Sequence, residues 1–193
     1  KFTNENLILV SDSAEKFYLT IHPLFNFEAG TDVADSSHEV LFKNMRGFLL
    51  RGAIGSKIYF ESSFYENQDT YAQYIDKSIA STGDINSGTA VVPGQGRAKP
   101  YRTNGYDFAM ASGCVSYSPN KIFNLQIGHG KHFIGDGYRS LLLSDNAYNY
   151  PYARITTSYK NIQYTNLYTM FTNLSDGGVK TPANIERLFQ KKI

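Results

Sequence analysis

Seven stretches of the chain alternate between apolar and polar residues with the two-residue period of a β-strand. In residues 122–130, Phe123, Leu125 and Ile127 point to one side, and the residues between them point to the other. Such a strand has one buried or lipid-facing side and one polar side. The predicted strands cover residues 17–28, 46–54, 58–65, 106–117, 122–130, 152–159 and 162–173.

The stretch 46–65 is the clearest hairpin, because two alternating runs flank the loop Gly55-Ser56-Lys57. Pairing Ile54 with Ile58 across this loop fixes the register of the two strands. The opposite charges of Arg51 and Glu61 then meet on the polar side. The remaining predicted pairs are Leu50 with Ser62 and Phe48 with Phe64.

Other segments give weaker signals. Pro23 interrupts the strand 17–28, which predicts a sheet edge, a bulge or a strained central position. Asp69 or Thr70 can cap a helix through Ser78, with an apolar stripe of Tyr71, Tyr74, Ile75 and Ile79. Residues 29–39 and 81–103 are rich in turn-forming residues and are predicted to be irregular. Thr181 and Pro182 can begin a helix whose stripe is Ile185, Leu188 and Phe189.

Short and long connections alternate along the chain, as they do in outer-membrane barrels with short periplasmic turns and long external loops. The predicted strands, roughly 9–12 residues long, also suit a tilted membrane strand. The fold class is therefore predicted as all-β, a partial antiparallel transmembrane β-barrel with short helices in its long loops. An odd strand count predicts that residues 1–193 are part of one larger barrel, with external loops near 66–104 and 131–151.

Composition narrows the choice of function. The formal net charge of +2 predicts no nucleic-acid partner, and one cysteine, Cys114, cannot form an internal disulfide. Mean hydropathy is -0.36, and no segment approaches the ~18 apolar residues that a membrane helix needs. The 15 Tyr and 13 Phe suit the aromatic girdles of a membrane barrel, whereas the absence of Trp fits less well.

Three segments resemble the gliding-motility RemB group of gliding bacteria, which is similar in turn to the capsule-assembly Wzi family of outer-membrane proteins. They are GHGKHFIGDGYRSLLLSDNAYNYPY (residues 128–152), VVPGQGRAKPY (91–101) and YDFAMASGCVSYSPNKIFNLQ (106–126). The resemblance implies an outer-membrane barrel with surface loops and no catalysis, of which residues 1–193 are the N-terminal part. It further implies outer-membrane lipid, surface polysaccharide and other outer-membrane or motility proteins as partners, and no cofactor.

The long loops carry a candidate polysaccharide site. Planar donors, carboxylates and aromatic faces are the groups that hold sugars. The alternative is that Arg139 pairs with Asp136 or Asp145 and folds the loop into the barrel mouth. The candidate residues are Arg97, Tyr101, Lys131, Asp136, Tyr138, Arg139 and Asp145.

Three other motifs have ordinary structural explanations. Gly94-Gln95-Gly96 and Gly128-His129-Gly130 lack the order of a phosphate loop and are interpreted as turns that need positive φ. His129, His132 and Asp136 suggest a metal site only weakly, because the two histidines fall on opposite faces of a continued strand. Ser140 or Ser144 with His132 and Asp145 has the composition of a catalytic triad but no nucleophile elbow.

Two other classes of protein stay open. One is a soluble β-sandwich, either a carbohydrate-binding module or a glycan-active enzyme, whose apolar strand face packs against a second sheet. The other is a barrel subunit of a larger outer-membrane complex. The deciding observation is what covers the apolar side of the strands, which carries Phe48, Leu50, Phe60, Leu125 and Ile155.

Overall fold

A computed structural model describes residues 7–14, 16–33, 40–135 and 142–171 of the chain. Their main feature is one antiparallel sheet. The elements are β1 (Ile8–Asp12), β2 (Phe17–Thr31), β3 (Val40–Ile54), β4 (Ile58–Asp69), α1 (Gln73–Ala80), β5 (Val91–Val92), β6 (Gly96–Arg97), β7 (Lys99–Tyr101), β8 (Gly105–Tyr117), β9 (Phe123–Gly130), β10 (Tyr150–Tyr159) and β11 (Ile162–Thr169). The strands of the sheet are arranged in the order β1-β2-β3-β4-β8-β9-β10-β11, so that long strands follow one another in sequence order.

The predicted hairpin is confirmed residue by residue. Ile54 pairs with Ile58 across a turn whose Gly55 has φ +61°, so this residue takes a conformation that glycine favours. The strands are longer than predicted: β3 begins at Val40 and β4 ends at Asp69. All strand pairs of the described residues are antiparallel, which confirms the predicted all-β antiparallel architecture. The sheet is open in the described residues, with β1 and β11 as its outer strands.

Pro23 lies in β2 opposite Phe48, beyond the last residue that pairs with β1. The register of β1 ends at Ile8 with Ile21, so β2 has only β3 as a described neighbour at Pro23. A residue without an amide proton is tolerated in a strand that has a partner on one side only. Within the described residues, Pro23 fits the sheet edge, one of the three predicted explanations.

The register divides the sheet into two continuous sides. One side, the apolar face, carries Phe48 and Phe64, then Val115, Leu125 and Ile155 on the following strands. The other side, the polar face, carries Arg51 and Glu61, then Cys114, Gly128 and Tyr152. Because side chains alternate along every strand, this division persists across all the long strands.

The only cluster of fully buried apolar residues in the described ranges lies over the polar face. Phe108 of β8 contributes the sheet side of this cluster, and α1 and the β5–β6 hairpin cover it. The buried members are Ile79, Ala90, Val92, Ala98 and Phe108. The segment 66–104, predicted as a long external loop, begins inside β4 and ends with β7 paired to β8, and its α1 and β5–β6 hairpin fold back onto the polar face. Its part 81–103 was expected to be irregular, but it contains three short strands.

Helix α1 begins later than predicted. Asp69 and Thr70 are still bonded to β3, since the Asp69 carboxylate accepts from the Asn44 amide and the Thr70 hydroxyl accepts from the Phe42 amide. The residue that precedes the helix is instead Ala72, which makes no side-chain cap. The predicted stripe is correct for Ile75 and Ile79 but wrong for Tyr74, which is 73% exposed.

Helix α1 has eight residues, and none of the described helical structure is long and apolar enough to cross a membrane. The helix predicted from Thr181 lies outside the described residues.

Candidate functional site

The two long loops meet at one end of the sheet. The Lys131 ammonium, just after β9, donates a hydrogen bond to the carbonyl of Gly94 in the β5–β6 turn. Gly94 has φ +69°, and Asn146 lies so close that a Cβ at residue 94 would fall 2.7 Å from its side-chain oxygen. Glycine is therefore required there both by the backbone and by the neighbouring loop.

Of the predicted polysaccharide residues, Lys131 and Asp145 come close enough to interact. Burial lowers the pKa of Lys131, and the nearby Asp145 carboxylate acts in the opposite direction. Lys131 is half-buried and engaged with the other loop, whereas Asp145 is exposed. Lys131 thus has a structural task in joining the loops, and its charge stays close to a solvent-exposed carboxylate.

The other predicted site residues are dispersed. Arg97 lies half-buried in β6. Tyr101 lies on the apolar face, where its ring meets Phe42 edge-on at 6.2 Å and Arg102 stacks over it at 5.2 Å. Asp136, Tyr138 and Arg139 lie outside the described residues, and so does the ion pair predicted for Arg139.

His132 is buried between two tyrosines of β10. Its ring contacts the Tyr152 ring edge-on at 4.2 Å, and its backbone amide donates to the Tyr150 hydroxyl. Burial and the charge of Arg154 lower the pKa of His132, so its neutral form is favoured. The imidazole Nδ1 lies 3.2 Å from the Tyr150 hydroxyl, and the Ser144 hydroxyl accepts from the Asn146 amide. Ser140, the other serine of the triad composition, lies outside the described residues.

The predicted separation of the two histidines is confirmed. His129 lies on the apolar side of β9, and its Nδ1 is 3.3 Å from the Ala111 carbonyl, whereas His132 packs on the polar face. Within residues 7–14, 16–33, 40–135 and 142–171, no three His, Cys, Asp or Glu side chains gather as metal ligands.

The turn interpretation of the glycine motifs is confirmed at Gly94 and wrong at Gly96, Gly128 and Gly130, which lie in strands without positive φ. Gly128 lies inside β9 with ordinary strand φ. A Cβ there would lie 2.5 Å from the Gly113 carbonyl oxygen and 2.8 Å from the Tyr152 hydroxyl. Close approach of neighbouring strands and of the Tyr152 ring, rather than a turn, explains this glycine.

A cavity of about 460 Å³ lies on the polar face beneath the start of the second long loop. His132, Phe133 and Ile134 form its roof, and strands β9, β10 and β11 supply its floor. Most floor residues carry hydroxyl or amide groups, and one carries a charge: Asn124, Arg154, Thr156, Ser158, Gln163 and Thr165. The volume is within the range typical of small-molecule sites, roughly 300–1,000 Å³.

Arg154 gives this cavity its charge. Its Nε is buried and has no hydrogen-bond partner, and the same holds for the side-chain oxygen of Gln126, the residue directly opposite on β9. Among the residues that the structure describes, no Asp or Glu lines the cavity. Buried polar atoms of folded proteins are nearly always paired, so two unpaired atoms at one register position are unusual.

The sequence did not indicate this cavity. Alternation in 152–159 places Arg154 opposite the apolar side, as observed, but a polar strand residue of this kind is usually solvated. What makes Arg154 special is the loop that crosses over it and the pairing of β10 with β9. Neither follows from the residues alone, because about 20 residues separate these two strands.

Neither protein-family models, curated proteins nor solved structures show a significant match to the chain.

Proposed function

We propose that this chain forms part of an outer-membrane β-barrel that acts in gliding motility or in the assembly of surface polysaccharide, without catalysis of its own. The observation that carries the proposal is the contrast between the two sides of the sheet. The cluster formed by α1 and the β5–β6 hairpin packs on the polar face, whereas Phe48 and Leu125 on the apolar face stay 45% and 40% exposed. A lipid bilayer would cover such a surface.

The boundaries of the apolar band support this assignment. Toward the loop end, charged groups appear on the same side of the sheet: Arg46 Nε lies 3.8 Å from Glu66 Oε2, and Arg102 lies over the rings of Phe42 and Tyr101. At the turn end, Lys160 lies 5.5 Å above the ring of Tyr159. Charged groups outside an apolar band, with tyrosines at its margin, are the arrangement of membrane–water interfaces.

The order of strands also supports a barrel. All long strands pair with their neighbours in sequence, and the connections after β3, β8 and β10 are short, whereas those after β4 and β9 are long. Up-and-down barrels have this connectivity. Closure of the barrel, which removes the free edges of β1 and β11, is part of the proposal.

The resemblance to the RemB group and the Wzi family suggests the biological setting, at the cell surface. Under this proposal, the loop end of the sheet faces outward, and Lys131, Asp136, Tyr138, Arg139 and Asp145 contact polysaccharide there. Arg97, over the polar face, and Tyr101, on the apolar face, lie too far apart in the fold to share that contact. The barrel acting as a subunit of a larger outer-membrane complex is compatible with the same geometry.

The soluble β-sandwich is less well supported. It needs a second sheet against the apolar face, and the second sheet of the described residues, β5–β6, packs over the polar face instead. Leu50, Phe60 and Ile155 remain partly exposed.

Fractionation of expressing cells tests the proposal. The full chain, produced with an outer-membrane export signal, is expected to stay in the membrane pellet after an alkaline wash and to need detergent for extraction. A peripheral outer-membrane protein serves as the washed-off control. Recovery of folded protein in aqueous buffer without detergent would contradict the barrel, and co-purification with other surface proteins would favour the larger complex.

A further inference from the structure

The cavity on the polar face has the chemistry of a binding site for a small hydroxyl-bearing acid. Arg154 presents a buried guanidinium nitrogen without a partner, and a charged donor left unpaired in a low-dielectric setting is costly. A carboxylate can accept two parallel hydrogen bonds from a guanidinium, which is among the strongest polar contacts in proteins. An incoming carboxylate would therefore satisfy Arg154.

The acidic side chains that the described strands place on this face, Glu28, Glu61 and Asp69, are engaged elsewhere. Glu61 lies three strands away from β10 and accepts hydrogen bonds from Arg51 Nε and from the Tyr59 hydroxyl, both at 2.7 Å. It is therefore not available to neutralise Arg154. His132, on the roof, has its pKa lowered by burial and by Arg154, so it adds no competing demand for an anion at neutral pH.

The rest of the cavity matches hydroxyl groups. Thr156 and Ser158 follow Arg154 on the same side of β10, and Gln163 and Thr165 face them from β11. These side chains both donate and accept hydrogen bonds, as sugar hydroxyls do. Phe133, 48% exposed on the roof, offers a ring against which the apolar CH face of a sugar can pack.

We propose that this cavity binds a sugar acid, with the carboxylate held by Arg154 and the hydroxyl groups held by Thr156, Ser158, Gln163 and Thr165. The choice of a sugar over another hydroxy acid rests on the proposed role in surface polysaccharide. The cavity itself does not depend on what covers the apolar face, so it can be tested whether or not the chain is a membrane protein.

Binding of D-glucuronate to the full chain, measured by saturation-transfer NMR in detergent or in buffer as the protein requires, tests the site. Glucuronate is expected to bind, and glucose, acetate, lactate and phosphate to bind more weakly. Equal binding of acetate or lactate would overturn the sugar part of the inference. Preferential binding of phosphate, or no binding of glucuronate, would overturn the site.

Two substitutions locate the contacts. Arg154→Gln is expected to weaken glucuronate binding by about tenfold or more, because a charge-assisted hydrogen bond is lost. Arg51→Gln is the matched control, since it removes an arginine from the same face outside the cavity, and it should leave binding unchanged. Thr156→Val is expected to weaken the binding of glucuronate but not that of acetate. An equal loss with Arg51→Gln and Arg154→Gln would contradict a defined site.

A measurement on the unaltered chain guards against a variant that fails to fold. Phenylglyoxal modifies accessible arginines, and glucuronate is expected to protect the peptide that contains Arg154 but not the peptide that contains Arg51. Failure of protection at Arg154 would overturn the inference. A chain that extracts into water yet shows this protection would refute the barrel and keep the site.

Discussion

The two faces of the sheet differ most clearly inside one hairpin. On the apolar face of β3 and β4, the rings of Phe48 and Phe64 pair at 6.0 Å and remain partly exposed. Three residues further along β3, on the polar face, Arg51 Nε and Glu61 Oε2 pair at 2.7 Å. Helix α1 and the β5–β6 hairpin of the first long loop pack on the polar face and not on the apolar one. An apolar face of this extent, which the described residues leave uncovered, is typical of a surface that contacts a further segment or another molecule.

The largest expected effect comes from a charge placed on the apolar face. Ile127 is 71% exposed there, so in water its replacement by arginine should change the free energy of unfolding by within about 0.5 kcal/mol. In a bilayer the same Ile127→Arg change should cost about 2–4 kcal/mol. Denaturant unfolding of the full chain from lipid vesicles measures the difference.

The matched control for that experiment is Ser11→Arg, an exposed position on the polar face of β1. It should have little effect in vesicles. Equal, small effects of both substitutions would mean that no lipid contacts the apolar face.

The next effect tests how closely the polar face is packed. Gly128→Ala should destabilise the fold by about 1–3 kcal/mol, because the new methyl group meets the Gly113 carbonyl and Tyr152. Gly30→Ala, also on the polar face but with open space around it, should change stability far less. Thermal or denaturant unfolding compares them, and a Gly128 variant as stable as the Gly30 variant would argue against the tight packing beneath Tyr152.

The ion pair of the hairpin should contribute less. A double-mutant cycle with Arg51→Gln and Glu61→Gln is expected to give a coupling free energy of about 0.2–1 kcal/mol, since both groups are partly solvated. The coupling should shrink in 1 M salt, where the screening length falls to about 3 Å. A cycle on Phe48 and Phe64 should not respond to salt, and an equal response of both pairs would contradict the distinction between the faces.

The smallest expected effect is a pH dependence of the second loop. Since the pKa of His132 is lowered in the folded chain by burial and by Arg154, protonation is costlier when folded than when unfolded. The free energy of unfolding should therefore be unaffected by His132 above the pKa that this residue has in the unfolded chain, near 6.5. It should decrease as the pH drops below that value and through the lower pKa of His132 in the folded chain. His132→Gln should flatten this slope in unfolding curves, and an unchanged slope would assign it to other groups.

The hairpin was predictable to the residue because its three-residue turn and its strict alternation leave one register. The ends of these strands were not predictable, because Lys43, Asn44 and Gln68 continue the pairing of β3 with β4 without any apolar signal. The predicted start of the helix was wrong because Asp69 and Thr70 form hydrogen bonds with β3 rather than with α1. Arg154 was placed on the correct face, but its role depends on a loop crossing the sheet, which local patterns do not encode.

The meander also sets an order of assembly. Each long strand pairs with the next long strand along the chain. In the pairs β3–β4, β8–β9 and β10–β11, the connecting loop has only a few residues. Such ribbons can form within microseconds, whereas joining β4 to β8 and β9 to β10 requires closure of much longer segments. We expect these three hairpins to form first and to pair with one another later. The contact between Gly94 and Lys131 should be among the last to form.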